Sequence, residues 1–240
     1  ESNKRIQYLL GFCISILFTN PSAYAATLWF VFFGCLVLYI LSFTLVQKYK
    51  FKDGLILIVL TILLNLFWLS PNIYFVLNHG LEVQNANINL LFSDQAFLKN
   101  KEFGNLSSLL LLKSFYFDWN IYTGSNSFSY LLNPFIEYLK NLPILALGYG
   151  FGLSFVIGAI YAAKKLKKNS ISIFLLLIVG LFFLINNNLP TGFVFIFLQN
   201  HIPFFKEALR FPDDKIFNIY VFLISIFFGY FCLFLIEKLN

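Results

Sequence analysis

Arg210, Asp213, Asp214 and Lys215 fall within six consecutive positions of a 240-residue chain in which only 12% of residues are charged. These residue types have a definite chemistry. Arginine offers a planar bidentate fork to phosphate oxygens and lysine a point charge. Arg210 and Lys215, flanking a break between two helices, therefore suit a phosphate or pyrophosphate held at a bilayer surface. Asp213 and Asp214 supply oxygen ligands of the kind that hold a divalent cation, magnesium or manganese. The two histidines, His79 and His201, are further candidate phosphate contacts. A carboxylate within hydrogen-bond reach of a hydroxyl group can act as its general base. Glu82, Asp94, Glu102, Asp118 and Glu137 are available between residues 79 and 142. Asp118 is the preferred candidate, because in YFDWN it stands between aromatic residues able to stack on a bound ring.

Local physics accounts for the same charges without any ligand. Pro203 can start a short helix, PFFKEALR, with Phe205 and Leu209 on one face and Lys206 and Arg210 on another. Phe211 precedes a proline, which disfavours helix there. Pro212 can then open a final helix whose first turn holds Asp213 and Asp214, where the positive end of the helix dipole favours carboxylates.

The elements that must position these residues are apolar. Of the chain, 59% is hydrophobic and 20% aromatic, far outside the soluble range. The expected fold is all-α, a polytopic membrane bundle of about six spans near residues 6–19, 24–46, 54–77, 143–163, 171–185 and 216–236, sought as runs of the roughly 20 apolar residues a crossing needs, the first of them short. Pro71 interrupts the third. Lysine and arginine gather at Lys4 and Arg5, at Lys48, Lys50 and Lys52, at Lys164, Lys165, Lys167 and Lys168, and at Lys238. With six spans all of these clusters fall on one face, which the positive-inside rule makes cytoplasmic in a cell membrane. Segments 79–142 and 186–215 then lie on the outer face. The net charge of +6 is explained by lipid headgroups, and no nucleic-acid-binding pattern is present.

The longer outer segment is rich in asparagine and aromatic residues. Leu106 to Phe117 and Phe128 to Lys140 read as short interfacial helices, with Tyr116, Trp119, Tyr122 and Tyr130 as headgroup-depth anchors. Asn105-Leu-Ser matches a glycosylation acceptor pattern. Cys13, Cys35 and Cys232 lie in apolar runs without metal-ligand spacing. GYGFG, residues 148–152, lacks the lysine of a phosphate loop. Gly148, Gly152, Ser154 and Gly158 read instead as a small-residue face for close helix packing, and Asn65 as a former of hydrogen bonds between helices. The first residues, ESNKR, read like the interior of a longer polypeptide. A rival reading of residues 1–25 is a signal peptide, with Ala23 and Ala25 at its cleavage site.

Three stretches carry a family resemblance: TNPSAYAATLWFVFFGCLVLYIL at 19–41, LNLFWLSPNIYFVL at 64–77 and IPFFKEALRFPDDKIF at 202–217, together about a fifth of the chain. They resemble the later half of the large multi-pass C-type glycosyltransferases, which take sugars from polyprenyl-phosphate donors. The resemblance implies an outward-facing site that transfers a sugar, with inversion and often with a divalent metal, to a glycan or protein acceptor of the cell envelope. It also implies that the usual base lies upstream of Glu1. Donor binding would then rest on Arg210, with the role of Lys215 less fixed. Two other classes fit the composition, a noncatalytic membrane scaffold or assembly subunit and a transporter or lipid flippase. Transport is disfavoured by the absence of an ionisable residue deep in any expected span.

Overall fold

Leucine, isoleucine, valine and phenylalanine run almost unbroken through the long elements, and in the computed structural model these runs are helices. Residues 2–19, 21, 25–48, 50–87, 96, 98–124, 127–202 and 205–239 are described. The described elements in chain order are α1 (Ser2–Leu17), α2 (Ala26–Gln47), α3 (Phe51–Asn85), α4 (Leu106–Leu110), β1 (Asn120–Gly124), β2 (Ser127–Tyr130), α5 (Asn133–Lys140), α6 (Leu142–Leu166), α7 (Ile171–Ile185), α8 (Gly192–His201), α9 (Phe205–Ala208) and α10 (Pro212–Leu239). Residues 98–103 are helical as well. The chain divides into two compact units, one from residues 1–91 with 171–176 and the other from 92–170 with 177–240.

Among the described residues four helical stretches are long and apolar enough to cross a bilayer: Ala26–Gln47, Phe51–Val83, Leu142–Ile185 and Pro212–Leu239. The chain is thus a helical membrane protein, with four such stretches where six spans are expected. At 1.5 Å per residue the 16-residue α1 is about 24 Å long, short of a hydrocarbon core of about 30 Å. Expected spans 143–163 and 171–185 lie within one 44-residue stretch. Within it α6 and α7 are separated by a 3₁₀ turn at Lys167–Ser170, where Lys167 has φ of 51°.

In the first unit, Trp29 of α2 is buried, stacked on Phe33 at 5.0 Å and edge-on to Trp68 of α3 at 5.2 Å. Gly54 lets α3 approach α2, since a Cβ there would meet Ile40 Cγ2 at 2.7 Å. Pro71 does not end α3, which continues to Asn85. Proline removes one backbone donor, and a long apolar helix tolerates that loss. Asn65 bonds within its own helix, donating to Thr61 O at 2.9 Å and accepting from Trp68 Nε1 at 2.9 Å. Expected as a bond former between helices, it stabilises local geometry instead.

In the second unit α6 packs against α10. Gly158 makes this close, because a Cβ there would collide with the Phe227 carbonyl oxygen. Phe155 meets Phe227 at 5.9 Å and Phe151 meets Phe228 at 5.0 Å. Small residues on α6 also receive α4 and the residue after it, as Gly152 faces Leu110 and Gly148 faces Leu111.

Residues 106–140 depart from the expected pair of interfacial helices. Only Leu106–Leu110 and Asn133–Lys140 of those ranges are α-helical. Residues 120–124 and 127–130 form an antiparallel hairpin, Asn120 opposite Tyr130 and Tyr122 opposite Phe128, the last two rings 5.4 Å apart. Its residues are β-branched and aromatic around Gly124, whose φ is 88°, so strand chemistry prevails over the apolar helical pattern. Asn105 is the N-cap of α4, accepting from Ser108 N at 2.9 Å.

Candidate functional site

The chain break before α10 is built as its residues dictate. Phe205–Ala208 forms one helical turn, and α10 begins at Pro212 with Asp213 and Asp214 in its first turn. The expected start of the short helix, Pro203, lies outside the described residues, as does Asp94. Lys215 Nζ donates to the carbonyl of Ala208, closing the end of that turn. The guanidinium of Arg210 lies over the Phe211 ring at 5.7 Å.

Four polar bonds fasten residues 100–115 to this break and to the end of α7. Asn100 Nδ2 donates to the carbonyl of Arg210 at 2.5 Å, and the backbone N–H of Phe115 donates to Asp213 Oδ2 at 3.1 Å. Asp213 is 6% exposed, so its carboxylate is a buried acceptor. Asn186, 1% exposed and left-handed with φ of 47°, donates to Asn100 O at 2.8 Å. Asn188 donates to Lys101 O at 2.8 Å. Gly104 fits against them because a Cβ there would come within 2.5 Å of Asn186 Nδ2. A fifth contact involves Tyr116, whose phenol is hydrogen-bonded to Asp214. That bond, partial burial and the charges of both aspartates push its pKa up to about 12.

Beside these bonds lies a cavity of about 190 Å³ lined by Lys99, Phe115, Asp118, Trp119, Asn120 and Phe211, together with Ala96. Asp118 ends a 3₁₀ turn, Phe115–Asp118, and its Oδ2 lies 2.5 Å from Lys99 Nζ. Trp119 is 49% exposed and Phe115 is buried against Trp119 and Phe211 at 5.6 and 5.4 Å. The wall is therefore aromatic, with one carboxylate, one ammonium and one amide side by side. That combination matches a sugar, whose C–H faces stack on rings and whose hydroxyls both donate and accept.

The structure thus joins Asp118, Arg210, Asp213, Asp214 and Lys215 in one unit. His201 is exposed at the end of α8, stacked on Phe197 at 4.1 Å and bonded to the Phe197 carbonyl. His79 belongs to the other unit and lies inside α3 rather than at a loop start; it contacts Phe75 and pairs with Glu82 at 3.2 Å. Glu137 is paired with Lys140 at 2.6 Å. Asp213 and Asp214 are engaged by Phe115 and Tyr116, and among the described residues no group of three or more His, Cys, Asp or Glu side chains is placed to hold a metal ion. Lys99, Asn100 and Asn120 are site residues that local sequence reasoning missed. Lys99 pairs with a carboxylate 19 positions away, and no short motif announces such a pairing. No protein-family model matches the chain, and neither does any curated protein or solved structure with which it was compared.

Proposed function

We propose that this chain is the donor-binding part of a membrane glycosyltransferase, which transfers a sugar from a polyprenyl-phosphate donor to a glycan or protein acceptor at the outer face of a cell membrane. The observation that carries the reading is the cavity in which Asp118, Lys99, Trp119 and Phe211 converge beside Arg210. Trp119 and Phe211 stack on the sugar, Lys99 and Asn120 donate to its hydroxyls, and Arg210 holds the phosphate as a bidentate donor. In the transfer the acceptor oxygen bonds to the anomeric carbon, the bond from that carbon to the phosphate oxygen breaks with inversion, and the phosphate leaves with the electron pair. The acceptor proton passes to a carboxylate. Asp118 takes that role if the base lies within this chain, and positions the sugar if the base lies upstream.

Division of the 44-residue stretch raises the four crossings to five, and α1, as a short first crossing, completes the expected six. A stretch of 44 residues is about 66 Å long, twice a bilayer core, and its middle holds Lys164, Lys165, Lys167 and Lys168. Four lysines are costly in hydrocarbon, so α6 and α7 form two crossings that meet at the break.

The test is transfer of radiolabelled sugar from polyprenyl-phosphate donors in membranes that contain the protein at matched levels. Arg210→Ala and Trp119→Ala lower transfer at least tenfold, with insertion unchanged. Unchanged transfer in both variants removes the site from the reaction, and no transfer by the unaltered protein with any donor favours the scaffold or transporter readings.

A further inference from the structure

The first unit contains a second hollow, unrelated to the sugar cavity. It is a groove of about 650 Å³ between α1 and α3, lined by Lys4, Arg5, Tyr8 and Phe12 of the one and by Ile56 and Leu57 of the other. Arg5 ion-pairs with Asp53 at 2.5 Å, which brings the first turns of both helices to the same end. Lys48, Lys50 and Lys52, in and just after the connection from α2, are exposed at this end too. Among the described residues this end therefore holds five cations against one carboxylate, and that carboxylate is already bonded to Arg5. The two helices run parallel, so the positive ends of both dipoles add to the field. Below the charged mouth the groove is apolar.

We propose that this groove holds one anionic glycerophospholipid of the surrounding bilayer, its phosphate between Lys4 and Arg5 and one acyl chain along Tyr8, Phe12, Ile56 and Leu57. The shape and the charge argue for the same occupant. A hollow between apolar helices in a bilayer is filled by chains of lipid, and a cationic mouth at headgroup depth selects the anionic members. Arg5 has further N–H donors beyond the one given to Asp53, so the ion pair orients the guanidinium without exhausting it. The ion pair also holds α1 on α3, so the lipid and the salt bridge fasten the same two helices. This site is independent of the transfer reaction proposed above.

Native mass spectrometry of the purified full chain, equilibrated with an equal mixture of phosphatidylglycerol and phosphatidylcholine, tests the assignment. The expected result is one retained lipid, with phosphatidylglycerol favoured on the order of tenfold. Lys4→Ala combined with Arg5→Gln brings that preference close to one, while Ile56→Trp, which fills the groove below an intact mouth, lowers occupancy by both lipids. The preference of the unaltered protein also shrinks as sodium chloride rises from about 0.05 M to about 0.5 M, because screening weakens exposed charge pairs. That arm needs no variant to fold. Absence of a retained lipid, equal retention of the two, or a preference indifferent to salt overturns the proposal.

Discussion

At the level of single residues, the pairing of Asp118 with Lys99 decides what the cavity can recognise. A lone carboxylate would attract any cation, whereas a carboxylate and an ammonium held 2.5 Å apart present an acceptor and a donor at the spacing of neighbouring hydroxyls. Asp118→Asn keeps the shape and removes the charge. Transfer is expected to fall at least tenfold, measured as initial rate per inserted protein, and a rate equal to the unaltered protein would remove Asp118 from the chemistry. Tyr116 gives a second, purely physical handle. The phenol donates to Asp214 and is pushed up to about 12, so its neutral form is the one the fold prefers. The stabilisation is complete below the ordinary tyrosine range near pH 10 and is lost as pH rises from there through about 12. In a difference titration at 295 nm, unaltered protein minus Tyr116→Phe, one phenol titrates near pH 12. A difference centred near pH 10 would show that the bond to Asp214 is absent. The sequence shows Asp118 and its aromatic neighbours together, since they are adjacent in the chain. It conceals Lys99 and the bond to Asp214, because those partners meet only after the chain has folded.

Elements impose their own requirements, and α6 shows them best. Its Gly158 backs onto the Phe227 carbonyl with no room for a methyl group, whereas Gly150 of the same helix and Gly229 of α10 face open space. Gly158→Ala is expected to destabilise the second unit by about 1–3 kcal/mol through overpacking. Thermal unfolding in detergent would show the loss in Gly158→Ala and almost none in Gly150→Ala; equal midpoints for the two would refute the close approach. The pair Gly148 and Gly152 is legible in the sequence because residues four apart share one side of a helix, where they receive Leu111 and Leu110, whereas Gly158 lies about 120° further round and receives Phe227 instead. The hairpin at 120–130 is not, because apolar outer segments with many aromatics fit an interfacial helix as well as a strand pair. Register and the positive φ of Gly124 settle the matter only in three dimensions. The run of α3 beyond Pro71 is hidden for a related reason. Proline marks a lost hydrogen bond, and whether a helix ends there depends on how well the next turns can continue it.

The whole molecule must place its charges with respect to the bilayer, and here composition speaks clearly while the count of crossings does not. Length and apolarity alone identify four stretches, since a rule of that kind treats 142–185 as one. The lysines in its middle argue for two. With the native cysteines Cys13, Cys35 and Cys232 replaced, single cysteines at Lys50 and Lys167 are expected to react with a membrane-impermeant maleimide from one side, and one at Asn120 from the other. Labelling of Lys50→Cys and Lys167→Cys from opposite sides would rule out six crossings. The bonds that fasten residues 100–115 beside the cavity carry a further consequence, for biosynthesis. They join partners 86, 87, 98 and 110 positions apart, with the later partner in the end of α7 or the start of α10. At a synthesis rate of about 5–20 residues per second, the segment around Asp118 waits roughly 5–20 seconds before Asp213 exists to receive Phe115. Throughout that interval the aromatic wall stands open beside the membrane, accessible to chaperones and proteases. A nascent chain interrupted before Pro212 therefore has every residue of the cavity wall and lacks Asp213, the acceptor that holds Phe115 in place.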